Sequence, residues 1–156
     1  MRFLSVNLDC FLIELESLEE TMAVHYCLKQ AQHPHIKELI PAARSILVYF
    51  DPFLVEMHTL IRWISSQKIS QDTLRQGKEI VIGVRYNGID LNNVAEYLGI
   101  STEQVIQKHT NSYWQVAFIG FAPGFAYLTN PEQVFRSIPR LASPRKKVSA
   151  GAVGLA

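Results

Sequence analysis

In the first half of the chain, apolar and polar positions alternate in short runs, broken by two longer stretches with helical spacing. Phe11, Ile13 and Leu15 alternate with Leu12 and Glu14, the period of a strand with one buried face. The pattern predicts strands over residues 2–8, 10–15, 36–40 and 45–50. Ser17-Leu18-Glu19-Glu20 reads as a capping box, in which the serine hydroxyl and Glu20 satisfy the first free N–H groups of a helix. Met22, Ala23, Tyr26, Cys27 and Ala31 then recur at helical spacing, and His33-Pro34-His35 closes the helix because the residue before proline avoids the α region. Asp51-Pro52 is expected to open a second helix with an apolar stripe of Phe53, Met57, Leu60, Ile61 and Ile64. The order β-β-α-β-β-α predicts a small two-layer α+β domain over residues 1–76, with residues 67–77 polar enough to be its linker.

A different rhythm begins at residue 77, where a second domain over residues 77–156 is expected. Ile80, Ile82 and Val84 alternate with Val81 and Gly83, which predicts a strand turned by Asn87-Gly88. Asp90 is placed to cap a short helix that Gly99 ends, and Ser101-Thr102-Glu103-Gln104 is a second capping box opening a helix to about His109. The richest stretch is 115–128. Val116 to Phe121 predicts a strand buried on both faces, with Gly120 allowing close backbone approach. Pro123-Gly124 suits the centre of a type II turn, since proline presets φ and glycine tolerates positive φ. Phe121, Phe125 and Tyr127 surround it, and spacing alone fits a core hairpin as well as a pocket wall.

A formal net charge of +1 hides an asymmetry: acidic side chains outnumber basic ones in residues 1–76, and the reverse holds in 77–156. That imbalance is too weak for a nucleic-acid binder, which shows a basic face. No run approaches a membrane span, and Asn7, Asp9 and Glu14 interrupt the apolar core a signal peptide needs. With Cys10 and Cys27 as the only cysteines, both read as reduced, buried thiols in a cytoplasmic protein. His33 and His35 read as helix-end punctuation; no carboxylate or cysteine cluster completes a metal set, and none is expected.

The familiar glycine-rich phosphate loops and the serine-hydrolase elbow are absent. Arg136, Arg140, Arg145, Lys146 and Lys147 instead precede a glycine-bearing segment, 149–154. Arginine forks hold carboxylate or phosphate, and glycines let backbone N–H groups approach an anion. The segment fits an anion site, and it fits a solvated surface loop. The chain stops inside an apolar run, Val148 to Ala156, which reads as the end of a fragment.

Three stretches, in order and spacing, resemble one family: Pro41-Ala42-Ala43-Arg44-Ser45 through Pro52, Ile119-Gly120-Phe121-Ala122-Pro123-Gly124-Phe125-Ala126-Tyr127-Leu128, and Pro139-Arg140-Leu141-Ala142-Ser143-Pro144-Arg145 through Ala156. It is the family of the B-type subunit of bacterial ATP-dependent 5-oxoprolinase, the sporulation kinase A inhibitor and allophanate hydrolase subunit 1. The resemblance implies an α+β fold whose second domain is a cyclophilin-like β-barrel, incomplete here because relatives continue beyond the position of Ala156. Two departures stand out: Val6-Asn7-Leu8-Asp9 replaces a leucine-glycine-aspartate turn, and Tyr86-Asn87-Gly88-Ile89-Asp90-Leu91 shortens a longer loop.

The resemblance further implies a hydrolase component that, with ATP on the complex, opens 5-oxoproline to glutamate. Partners would be the other 5-oxoprolinase subunits, especially the cyclophilin-like C-type one. Two other roles share the resemblance: inhibitor of a sensor histidine kinase, and carboxyl-transfer component of a urea carboxylase or allophanate system. On the hydrolase reading, Arg140 and Arg145 would serve as cations for carboxylate and phosphoryl groups, and His109 as proton carrier. Phe125 and Tyr127 would wall the pocket at the Pro123-Gly124 turn, and Gly124 and Gly151 would allow backbone approach.

Overall fold

The computed structural model describes residues 1–70, 77–130, 135 and 138–155. Part of the expected linker, 71–76, together with Pro131, Arg136 and Ala156, lies outside the described residues. The chain divides into two compact units, one of residues 1–79 and 116–128, the other of 80–115 and 129–156.

The first unit is built on strands β1 (Arg2–Asn7), β2 (Cys10–Glu14), β3 (Ile36–Pro41) and β4 (Ser45–Phe50) and helices α1 (Leu18–Ala31) and α2 (Met57–Ser65). The strands form one antiparallel sheet in the order β1-β2-β4-β3. Phe11 pairs with Val48 and Ile13 with Ile46 across β2 and β4, so alternate residues share one face. That face is the core: Phe11, Ile13, Leu15, Ile46, Val48 and Phe50 pack with Val24 and Leu28 of α1 and Leu60 and Ile64 of α2. The β-β-α-β-β-α order expected from the sequence is the one formed.

Local details depart from expectation in three places. Helix α1 buries Thr21, Ala23, Val24 and Leu28, a stripe rotated from the expected one, and leaves Tyr26 exposed. Thr21 can turn inward because its hydroxyl donates to the Ser17 carbonyl at 2.8 Å, so no polar group is orphaned. The helix ends at a left-handed Gln32 (φ 46°), whose N–H donates to the Leu28 carbonyl, ahead of the proline. Asp51 does accept from the Phe53 N–H at 3.1 Å, but it closes a turn; α2 begins at Met57, and Phe53 is 95% exposed.

The second unit holds α3 (Leu91–Leu98) and α4 (Thr102–Asn111), which pack through Ala95 and Val105 with Phe135 and partly buried Leu91, Val94, Leu98, Ile100, Trp114, Ile138 and Leu155. Residues 77–88 form no strand, against expectation. Ile80, Val81 and Ile82 are 72–91% exposed, and alternation becomes a strand only where a partner supplies the ladder hydrogen bonds. The remaining strands, β5 (Gln115–Ile119) and β6 (Ala126–Thr129), form a two-stranded sheet. Val116 and Ile119 are 52% and 60% exposed, so β5 is not the doubly buried strand its apolar run predicts. Among the described residues the β-structure amounts to these two antiparallel sheets, and a closed barrel is not among them.

Candidate functional site

The hairpin turn is built as the proline and glycine dictate. Phe125 N–H donates to the Ala122 carbonyl at 3.0 Å across Pro123-Gly124, and Gly124 has φ 76°, the positive value a type II turn requires at its third position. Immediately before it, Ala122 N–H donates to the Gly120 carbonyl at 2.8 Å around Phe121, whose φ is 66°. That three-residue turn forces an aromatic residue into left-handed backbone. Phe121 is 89% exposed, so burial of its ring does not compensate the strain.

The aromatic side chains form a continuous row. Phe118 stacks on Tyr127 with ring centroids 4.5 Å apart, Tyr127 meets Phe125 at 5.1 Å, and Phe125 meets Phe121 edge-on at 5.4 Å. Gly120 does not have the close backbone neighbour expected of it. A Cβ there would meet the Phe118 and Tyr127 rings at 3.8 Å or more, ordinary contact.

In the second unit, the true capping box at Ser101 sets α4: the Ser101 hydroxyl accepts from Gln104 N–H, and the Gln104 side chain accepts from Ser101 N–H. This places His109 in the last helical turn, inside a box of rings. Trp114 lies 4.8 Å from the imidazole, Tyr86 5.7 Å and Phe135 5.9 Å. Trp114 Nε1–H donates to the His109 carbonyl at 3.0 Å, closing the helix end. The Tyr86 hydroxyl meets His109 Nδ1 at 2.6 Å. Burial pushes the imidazole below its ordinary value and the phenol above its own, so both favour their neutral forms. With both neutral, the contact is satisfied either by the phenol O–H donating to Nδ1, the imidazole proton being on Nε2, or by Nδ1–H donating to the phenol oxygen. A neutral imidazole fixed in this way can accept a proton and pass it on.

Arg145 of the basic loop is engaged in an ion pair: its Nη2 donates to both carboxylate oxygens of Asp90 at 2.5 Å. Asp90 occupies the N-cap position of α3, as expected, but its side chain makes no capping bond there. Its backbone (φ −95°, ψ −2°) lies away from the extended conformation that aims a cap at the first helical N–H groups. Gly151 has φ 75° in a turn closed by Ala152 N–H to the Ser149 carbonyl at 3.1 Å. Arg140 is exposed.

Of the residues singled out from sequence, Pro123, Gly124, Phe125 and Tyr127 are brought together in the hairpin. His109, Arg140, Arg145 and Gly151 belong to the second unit. Sequence reasoning missed the partners Tyr86 and Asp90 as site residues, along with Trp114 and Phe135. Elsewhere, His33 packs on His35 and on Trp63 (4.7 Å between ring centroids for the latter), and Cys10 is buried. No helix among the described residues is long and apolar enough to cross a membrane.

Comparison with known proteins decides the ancestry of this arrangement. A family model described as carboxyltransferase domain, subdomain C and D, matches residues 1–156. The chain belongs to this family. Among the carboxyltransferase-domain relatives, the B-type subunit of 5-oxoprolinase from Bacillus subtilis (strain 168) is 33% identical over 145 residues, 83% of this chain and 60% of its own length. The B-type subunit of 5-oxoprolinase from Escherichia coli O157:H7 is 35% identical over 131 residues, 78% of this chain and 57% of its own. The crystal structure of TTHA0988 in space group P212121 matches with a TM-score of 0.74 and 29% identity, over 94% of this chain and 30% of that one. The chain thus spans 57–60% of the length of these curated relatives.

Proposed function

We propose that this carboxyltransferase-domain chain acts as the B-type subunit of an ATP-dependent 5-oxoprolinase, a cytoplasmic complex that opens the lactam of 5-oxoproline to glutamate. The observation that carries the reading is the identity of 33–35% with relatives named as that 5-oxoprolinase component, over about four-fifths of the chain. A five-membered lactam is a poor electrophile. Phosphoryl transfer from ATP to its carbonyl oxygen activates that carbon. Water adds there, the ring C–N bond breaks as the nitrogen takes a proton and leaves, and a second water hydrolyses the resulting acyl phosphate to the open acid and inorganic phosphate.

Such a route needs a cation for the substrate carboxylate, a cation for the transferred phosphoryl group, and a proton carrier. Arg145, which already grips a carboxylate, suits the first role, and Arg140 the second. Neutral His109, held by Tyr86, suits the third. In the first unit Phe125 and Tyr127, with Pro123 and Gly124 fixing their turn, would form an apolar wall; in the second, Gly151 would admit backbone N–H groups to an anion. ATP is handled by the complex, on a partner chain in the simplest arrangement, since this sequence has no phosphate loop. The partners are the other 5-oxoprolinase subunits, foremost the cyclophilin-like C-type one. Ile80, Val81, Ile82 and Val84, apolar and exposed, would supply a strand of a cyclophilin-like barrel.

The test is co-expression with the companion subunits and measurement of glutamate formed from 5-oxoproline with and without ATP. ATP-dependent turnover is expected; its absence in a folded complex would remove the proposal. The family description itself favours one second reading, carboxyl transfer to an amide such as urea. Turnover with urea, bicarbonate and a biotin-bearing partner, in place of 5-oxoproline, would establish it.

A further inference from the structure

Helix α3 begins with an aspartate that does not do what aspartates at helix starts ordinarily do. An N-cap carboxylate normally accepts from the second or third N–H of its helix, here those of Asn92 and Asn93. Asp90 makes no such bond, and both its oxygens lie on Nη2 of Arg145, 55 residues away in sequence. The groups are partly open to solvent, with side-chain exposures of 44% and 35%. An incoming anion can therefore reach them. Asp90 also has a second place to go, because the start of α3 carries the partial positive charge and free donors that attract a carboxylate.

From this juxtaposition we infer that Asp90 is an internal competitor for the anion-binding face of Arg145 and sets how strongly a small carboxylate must bind to take its place. A ligand carboxylate displaces Asp90 from the guanidinium, and Asp90 moves to the first turn of α3, where it accepts from Asn92 or Asn93 N–H. The cost of displacement is small. An exposed ion pair contributes little, so its loss changes affinity by about two- to fivefold. Asp90 thus raises the threshold for weakly bound anions without closing the site. The inference deepens the role given to Arg145 above and rests on it.

The experiment compares the unaltered chain with Asp90→Asn and Arg145→Gln, using 5-oxoproline as probe and nitrogen-15 NMR titration as readout. Asparagine keeps the helix-capping ability and nearly the shape of aspartate, so folding is preserved, and the spectrum of each variant verifies it. The expected result is binding about two- to fivefold tighter in Asp90→Asn and lost in Arg145→Gln. In the unaltered chain, the Asn92 and Asn93 amide signals should shift on saturation. Loss of binding in Arg145→Gln with unchanged or weaker binding in Asp90→Asn would overturn the competitor role and leave Arg145 as the carboxylate site. Unaltered binding in Arg145→Gln, or no binding by any of the three chains, would overturn both.

Discussion

Arg145 and Gly124 carry different kinds of constraint, and each can be tested by a single substitution. Replacing Arg145 by alanine removes a cation and also bares the Asp90 carboxylate to any approaching anion, so two unfavourable changes act together. Turnover of 5-oxoproline by the assembled complex should fall at least about 100-fold while the thermal transition is retained, as loss of one charge contact in a transition state typically does. Adding Asp90→Asn to that variant should recover part of the loss, the part due to repulsion. Near-normal turnover by Arg145→Ala would sink the assignment. Gly124 is a purely backbone case: a Cβ there meets nothing within 4 Å, yet φ is 76°. Gly124→Ala should therefore weaken the hairpin by about 1–2 kcal/mol through conformation alone. Faster amide exchange at Gly120, whose N–H is held by the Phe125 carbonyl at 3.1 Å, is the measurement.

At the scale of elements, the capping box of α4 links helix start to site. Ser101→Ala removes an N-cap hydroxyl and should cost about 1 kcal/mol, read by urea denaturation. Because His109 sits at the far end of the same helix, the variant should also broaden the NMR signals of the Tyr86–His109 pair; sharp, unshifted signals would show that the pair is held by the ring box alone. Elements of this kind were the legible part of the sequence. Serine with glutamine three residues later, proline followed by glycine, and alternation in residues 10–15 and 45–50 are local signals with local causes, and the structure follows them. The illegible part depended on remote partners. The alternation at residues 80–84 looks the same as that of β2, but β2 has β1 and β4 beside it and residues 80–84 have no strand partner among the described residues. The stripe of α1 turned by one position because a threonine could satisfy its hydroxyl on the preceding turn, which spacing does not reveal. Tyr86 with His109, and Asp90 with Arg145, are 23 and 55 residues apart, and no periodicity connects them.

For the molecule as a whole, the three perturbed histidines shift in one direction, and acid sensitivity follows. Burial lowers His25, His33 and His109 below the ordinary 6.5, with Lys29 adding to the effect at His25 and His35 at His33. Below 6.5 the unfolded chain binds protons that the folded chain refuses. Stability contributed by these neutral rings is thus present above pH 6.5 and lost as pH falls through the depressed folded values. Each unit carries its own reporter, since the chain has two tryptophans: Trp63 lies 4.7 Å from His33 in the first unit, and Trp114 lies 4.8 Å from His109 in the second. Urea midpoints followed by the remaining tryptophan of Trp63→Phe or Trp114→Phe should both drop between pH 7.5 and 5.5. Introducing His109→Gln should flatten the decline seen through Trp114 and leave that seen through Trp63 unchanged. Were the Trp114 midpoint to fall equally with and without the imidazole, burial of His109 would not be the source of acid sensitivity in that unit. The neutral, Tyr86-bound form on which its proton-carrying role depends would then lack support.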